Sequence, residues 1–157
     1  MSESIERFVG IDVSKGSLDV FADPPSQQLP AHCGYDDAAL KALCDAVAQL
    51  APTLVVMEAS GGLEQRAAAE LAARGVPLAV VNPRQVRNFA RASGELAKTD
   101  ALDARILCAF ARAIRPAART PKDADTRALA DLLSRRRQLV DMRVQELQRQ
   151  HTASSRA

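Results

Sequence analysis

The chain of 157 residues has no tryptophan, one tyrosine and four phenylalanines, so aromatic residues make up only 3% of it. A platform on which successive single-stranded bases stack needs such rings, and their scarcity argues for contact through the backbone of a duplex or a folded nucleic acid instead. Cysteine is also scarce. Cys33, Cys44 and Cys108 are odd in number and form no close-spaced pair, which argues against a disulfide framework or a zinc site and fits a reducing cytoplasm. No apolar run approaches the roughly 20 residues that span a bilayer. The opening Met1-Ser2-Glu3-Ser4-Ile5-Glu6-Arg7 is polar and acidic, where a secretory leader is basic and then apolar. The expectation is a protein that is neither exported nor membrane-embedded.

What the chain does have is an ordinary globular composition, 47% hydrophobic and 25% charged, with its charge unevenly placed. The net charge is +2, but residues 1–83 hold 5 Lys/Arg against 11 Asp/Glu, a net −6, and residues 84–157 hold 16 against 8, a net +8. A basic half suits a phosphate-rich partner, because each cation set against a phosphate releases condensed counterions.

Phe8-Val9-Gly10-Ile11-Asp12-Val13 reads as a strand with Val9, Ile11 and Val13 on one face and Phe8, Gly10 and Asp12 on the other. Ser14-Lys15-Gly16-Ser17 turns the chain into a second strand, Leu18 to Phe21. Gln27 to His32 is expected to be a short edge strand, exposed or irregular at Pro30. Asp36-Asp37 open a helix with Leu40, Leu43, Cys44, Val47 and Leu50 at helical spacing, stopped before Pro52. Thr53 to Met57 is a buried strand that delivers Glu58 at its end. The turn Ala59-Ser60-Gly61-Gly62 leads to a helix from Leu63 to Arg74 capped by Gly75, and Val76 to Val81 is a further buried strand. Asn82-Pro83 then opens a short basic helix bearing Arg84, Arg87 and Arg91.

Thr99 is a natural N-cap for a helix that carries Asp100 and Asp103 in its first turn, buries Leu102, Ile106, Leu107, Phe110 and Ile114, and ends at Pro116. Thr120-Pro121 starts a segment expected to stay helical to about Gln150, roughly 45 Å long. Leu129, Leu132, Leu133, Leu139, Val140, Val144 and Leu147 mark a narrow apolar seam along it, interrupted by Arg135-Arg136-Arg137. The seam suits either a second copy of the chain or another domain, or a helix folded back on the core. His151 to Ala157 is expected to be a frayed tail. The whole predicts an α/β fold with a mixed sheet.

Chemistry concentrates in the acids. Asp12 and Glu58 end hydrophobic strands, and ligand sites of open α/β sheets form beyond strand ends. If the two strands are neighbours, about 4.8 Å apart, the carboxylates meet. Asp100 and Asp103 lie three apart, on one helical face, and bring the number to four. Alone, a first-turn Asp merely favours the positive helix terminus, Asp12 anchors a turn, and Glu58 caps a turn or helix. Converging, four ionised acids are tolerable only with cations, and hard dications such as Mg²⁺ or Mn²⁺ bind through such oxygens. Two ions about 4 Å apart stabilise the attacking and leaving oxygens of phosphoryl transfer.

Gly10-Ile11-Asp12-Val13-Ser14-Lys15, Glu58-Ala59-Ser60-Gly61-Gly62, Val81-Asn82-Pro83-Arg84-Gln85-Val86-Arg87-Asn88-Phe89-Ala90 and Lys98-Thr99-Asp100-Ala101-Leu102-Asp103-Ala104-Arg105 together resemble the N-terminal domain of the Asp-Glu-Asp-Asp insertion-sequence transposases related to Piv-type DNA invertases. The four blocks span nearly the whole chain in the family's order. The resemblance implies a ribonuclease-H-like, RuvC-like fold, with Asp12, Glu58, Asp100 and Asp103 as catalytic ligands of Mg²⁺ or Mn²⁺. It further implies metal-dependent recombination of double-stranded DNA, a structured guide RNA, and a coiled-coil region joining protomers as a homodimer or higher oligomer. The cations assigned to nucleic acid are Lys15, Arg84, Arg87, Arg91, Lys98, Arg105, Arg135, Arg136 and Arg137. The expected organisation is a metal-binding domain over residues 1–118 and a helical segment over 119–157. That segment leads to a further domain supplying a serine nucleophile, a role not given to Ser154 or Ser155. A nucleoid-associated cytoplasmic location follows from the same resemblance. Rival readings are a Holliday-junction nuclease, a non-catalytic nucleic-acid-binding module, and an actin-like or sugar-kinase ATPase whose Ser60-Gly61-Gly62 amides cradle a phosphate.

Overall fold

The computed structural model describes residues 5–94, 104–119 and 124–154, with side chains in the last stretch described at 126, 129 and 132–150. Two compact units divide the chain, residues 1–121 and 122–157.

In the first unit, β1 (Phe8–Val13), β2 (Ser17–Asp23) and β3 (His32–Gly34) are followed by α1 (Asp37–Gln49), β4 (Leu54–Glu58), α2 (Glu64–Ala73), β5 (Leu78–Val81), α3 (Pro83–Ala92) and α4 (Ala104–Ile114). The strands form one sheet in the order β3-β2-β1-β4-β5. β2 runs antiparallel to both β1 and β3, whereas β1, β4 and β5 are mutually parallel. The sheet is therefore mixed, as the sequence pattern predicts.

The alternation read in β1 sorts the core into two layers. Val9, Ile11 and Val13 pack with Val55 and Met57 of β4 under α1 and α2, through Leu40, Leu43, Cys44, Val47, Ala67, Ala68 and Leu71. On the other face Phe8, Leu54 and Val56 pack with Val86 of α3 and with Leu107, Cys108, Phe110 and Ala111 of α4. Each fully buried Val, Leu or Ile contributes about 1.5–3 kcal/mol, so both layers matter to stability. The rings of Phe89 and Phe110 meet edge to face at 5.5 Å, joining α3 to α4. Gly10 lets α4 lie close on β1: a side chain there would run into the backbone at Ala104 and Cys108 and stand 2.9 Å from Leu107 Cβ.

Several expectations need correction. The edge strand is residues 32–34, not Gln27 to His32. Pro30 offers no N–H to a ladder, and the chain before it turns instead, with Leu29 N–H donating to Ser26 O at 3.4 Å. β5 is an edge strand, and its Val80 is 42% exposed rather than buried. In α4 the buried stripe is Ala104, Leu107, Cys108 and Ala111 with Phe110, while Ile114 is 53% exposed at the helix end. Leu102, Thr99, Asp100, Asp103 and Lys98 lie outside the described residues, as do Thr120 and Pro121.

The second unit is α5 (Ala124–Ser154), a helix of 31 residues. It continues through His151 to Ser154, where a frayed tail was expected. Leu129, Leu132, Leu133, Leu139, Val140, Val144 and Leu147 are all exposed on it. No described helix is long and apolar enough to cross a membrane.

Candidate active site

Ile11 pairs with Met57 across the parallel β1–β4 ladder, so the next residues, Asp12 and Glu58, stand side by side where the strands end. Both share the face of Phe8, Gly10, Leu54 and Val56, the face covered by α4. The strand neighbourhood on which the two carboxylates' meeting depended is therefore present.

The pair is electrostatically uncomfortable as it stands. Burial pushes the Glu58 carboxyl above its ordinary value, the negative Asp12 pushes it further, and Arg87 on α3 opposes both. One oxygen of Glu58, Oε2, is buried without a hydrogen-bond partner among the described residues. A desolvated carboxylate oxygen with no donor costs on the order of 1–3 kcal/mol, more when charged. Glu58 thus caps neither the following turn nor α2.

That work falls to Glu64, which sequence reading passed over. Its buried side chain accepts at Oε2 from Ser60 N–H at 2.9 Å, Ser60 O–H at 3.1 Å and Gly62 N–H at 3.0 Å. The turn is therefore closed by its own carboxylate. Two of the three amides that a phosphate cradle would use, those of Ser60 and Gly62, are occupied, which weakens the rival ATPase reading. The available signal was an acid at the first residue of the helix, four positions after Ser60 and so close to the amides of the preceding turn.

Ala104, the first residue of α4, lies over Gly10, two residues back along β1 from Asp12. Asp100 and Asp103 themselves fall outside the described residues. Among the described residues no group of three His, Cys, Asp or Glu side chains gathers as a metal site; the Asp12–Glu58 pair is the described part of the expected four. The donor set fits a hard dication: two adjacent carboxylates, one oxygen desolvated and unpartnered, need positive charge more than they need each other.

The assigned cations are distributed. Asn82 caps α3 by accepting from Arg84 N–H at 2.9 Å, and Arg84, Arg87 and Arg91 are exposed along that helix. Lys15 is exposed in the β1–β2 turn. Arg105 lies with its guanidinium 5.1 Å from the centre of the Phe21 ring, and Arg135, Arg136 and Arg137 are exposed on α5.

Adjacent acids at the ends of parallel strands in a mixed sheet, under a helix that crosses a glycine, define an α/β domain with an acidic pair at one end of its sheet. A family model described as Transposase, that of the IS110-type transposases with the Asp-Glu-Asp-Asp signature, matches residues 9–153, and the chain belongs to this family. It is accordingly a domain of a DNA-recombining enzyme. Among solved structures, T. thermophilus RuvC in complex with a Holliday junction substrate is similar at 13% identity and a TM-score of 0.41, over 72% of this chain and 98% of that one. A search of curated proteins finds no match.

Proposed function

We propose that this domain carries a dication-dependent phosphoryl-transfer site for double-stranded DNA, with Asp12, Glu58, Asp100 and Asp103 as its carboxylate ligands. The observation that carries the reading is the buried, unpartnered Oε2 of Glu58 beside Asp12. Such a group is in place before any ligand arrives, and a Mg²⁺ or Mn²⁺ ion supplies Lewis-acid stabilisation to the oxygens of a scissile phosphate when bound. Asp103 directly precedes Ala104, which sits over β1 on the acids' face, and this favours including the second pair.

Asp12 and Glu58 hold their oxygens at the strand ends, where the backbone is fixed by two ladders. Arg87, close enough to Glu58 to counter its raised pKa, offers a cation beside the site for a DNA phosphate, and Arg84 and Arg91 extend that surface along α3. Lys15, Lys98 and Arg105 in the first unit, and separately Arg135 to Arg137 on α5, are the other cations proposed to meet DNA and a structured guide RNA. The exposed apolar side chains of α5 favour a homodimer or higher oligomer through that helix. DNA as substrate favours a cytoplasmic, nucleoid-associated location.

Titration of the full chain with Mn²⁺, followed by calorimetry and by thermal melting, tests the site. Binding should weaken by more than about tenfold in Asp12→Ala, and ATP should not stabilise the native chain. Equal Mn²⁺ affinity in native and variant chains would overturn the reading.

A further inference from the structure

The sheet register places more than two titratable residues at the level of the site. Asp12 on β1 is directly opposite Asp19 on β2, and Asp19 is directly opposite His32 on β3. Residues directly opposite share a face, and the neighbours confirm which one. Leu18, Val20 and Cys33 go to the α1–α2 layer, and Phe21 goes to the α4 layer with Phe8. Asp19 and His32 therefore lie on the same face as Asp12 and Glu58, in one row across four strands: His32, Asp19, Asp12, Glu58.

Two like charges directly opposite on an antiparallel pair destabilise it. Here Asp19 is engaged on its other side: its Oδ1 is 2.7 Å from His32 Nδ1. β3 lies across β2 from β1, so this bond draws the Asp19 carboxylate away from Asp12. The two side chains are 49% and 64% exposed, too open for the contact to be a matter of core packing.

We propose that His32 sets the metal selectivity of the site by holding Asp19 on the β3 side of the sheet, out of reach as an additional carboxylate ligand. The proposal rests on reading Asp12 and Glu58 as metal ligands. Its physical basis is ligand number: Mg²⁺ keeps octahedral geometry with few carboxylates and several waters, whereas Ca²⁺ takes six to eight oxygens and is favoured when ligands are added. A released Asp19, one strand spacing from Asp12, would add an oxygen donor and shift the preference toward Ca²⁺. His32 is thus a positioning residue, acting on the site through Asp19.

Calorimetric titration of Ca²⁺ and Mg²⁺ into the full chain reads this directly. His32→Ala should raise the ratio of Ca²⁺ to Mg²⁺ affinity by roughly tenfold and lower the metal-free melting midpoint, since the two aspartates then face each other unrestrained. Both effects should vanish in His32→Ala/Asp19→Asn, and His32→Gln, which keeps a donor for Asp19, should resemble the native chain. An unchanged or lowered ratio in His32→Ala, or a raised one that persists in the double variant, overturns the proposal. Asp12→Ala separates the two readings: undiminished metal binding there removes the metal site itself, whatever His32 does.

Discussion

Glu58 and Glu64 are the same residue type six positions apart, and the structure gives them opposite circumstances. Glu64 gathers three donors on one oxygen and closes a turn, whereas Glu58 keeps a buried oxygen unpartnered beside Asp12. Hydrogen bonds that satisfy a carboxylate make it structural; their absence leaves charge for something else to meet. Asp36 shows the satisfied case at a helix end, where its Oδ1 accepts from Ala38 and Ala39 N–H at 3.0 Å each. The bond from Ala39 N–H is the chief reason its carboxyl lies below the ordinary value; burial opposes it, and the Ala38 N–H and Arg66 add to the lowering. A folded-state pKa below the unfolded one stabilises the fold above the unfolded value and loses that contribution as pH falls through the folded value. Asp36→Ala should therefore melt earlier than the native chain at neutral pH, with the gap narrowing as pH drops below about 4. Melting scans across that range check it; a gap constant with pH would remove Asp36 as a charged cap. Asp36→Asn, which keeps an acceptor without the charge, should show the weaker pH dependence.

At the scale of elements, α3 divides its residues cleanly. Val86 and Ala90 are buried, Phe89 packs on Phe110, and Arg84, Arg87 and Arg91 are left exposed. Fixed by its Asn82 cap and that packing, α3 sets the spacing of its three cations along one exposed surface. Replacing all three arginines by glutamine should weaken duplex DNA binding across sequences and reduce the slope of log affinity against log salt by about three, one for each phosphate contact. Fluorescence anisotropy at several salt concentrations measures this; an unaltered slope would exclude α3 from the footprint. Helices and strands with strong periodicity were legible in the sequence because burial on one face imposes that period. β3 was misplaced because three residues at a sheet edge carry too little pattern, and Val80 was misread because an apolar run does not reveal whether its strand is central or at an edge.

For the molecule as a whole, two units answer to different needs. The first buries its apolar side chains on both faces of the sheet. The second, α5, exposes a series of them: Leu132 is 68% exposed and Leu133 48%. A single helix cannot cover its own stripe, and the proposed self-association would cover it. Leu133→Glu should lower the sedimenting mass of the full chain toward the monomer value, because a charge in an apolar seam loses its water on assembly. The same mass for native and variant chains would rule out self-association through this seam.

By itself the sequence determined the alternation in β1, the capped helices, the charge asymmetry and the candidacy of Asp12 and Glu58, because each is a local pattern with a local cause. Only the tertiary structure decided that β1 and β4 are neighbours and bring those two acids together, that Glu64 occupies the turn amides, and that Asp19 stands opposite Asp12 but is bonded to His32. These facts depend on strand order and register, which bring residues 46 positions apart into adjacency and which no single stretch of the chain encodes.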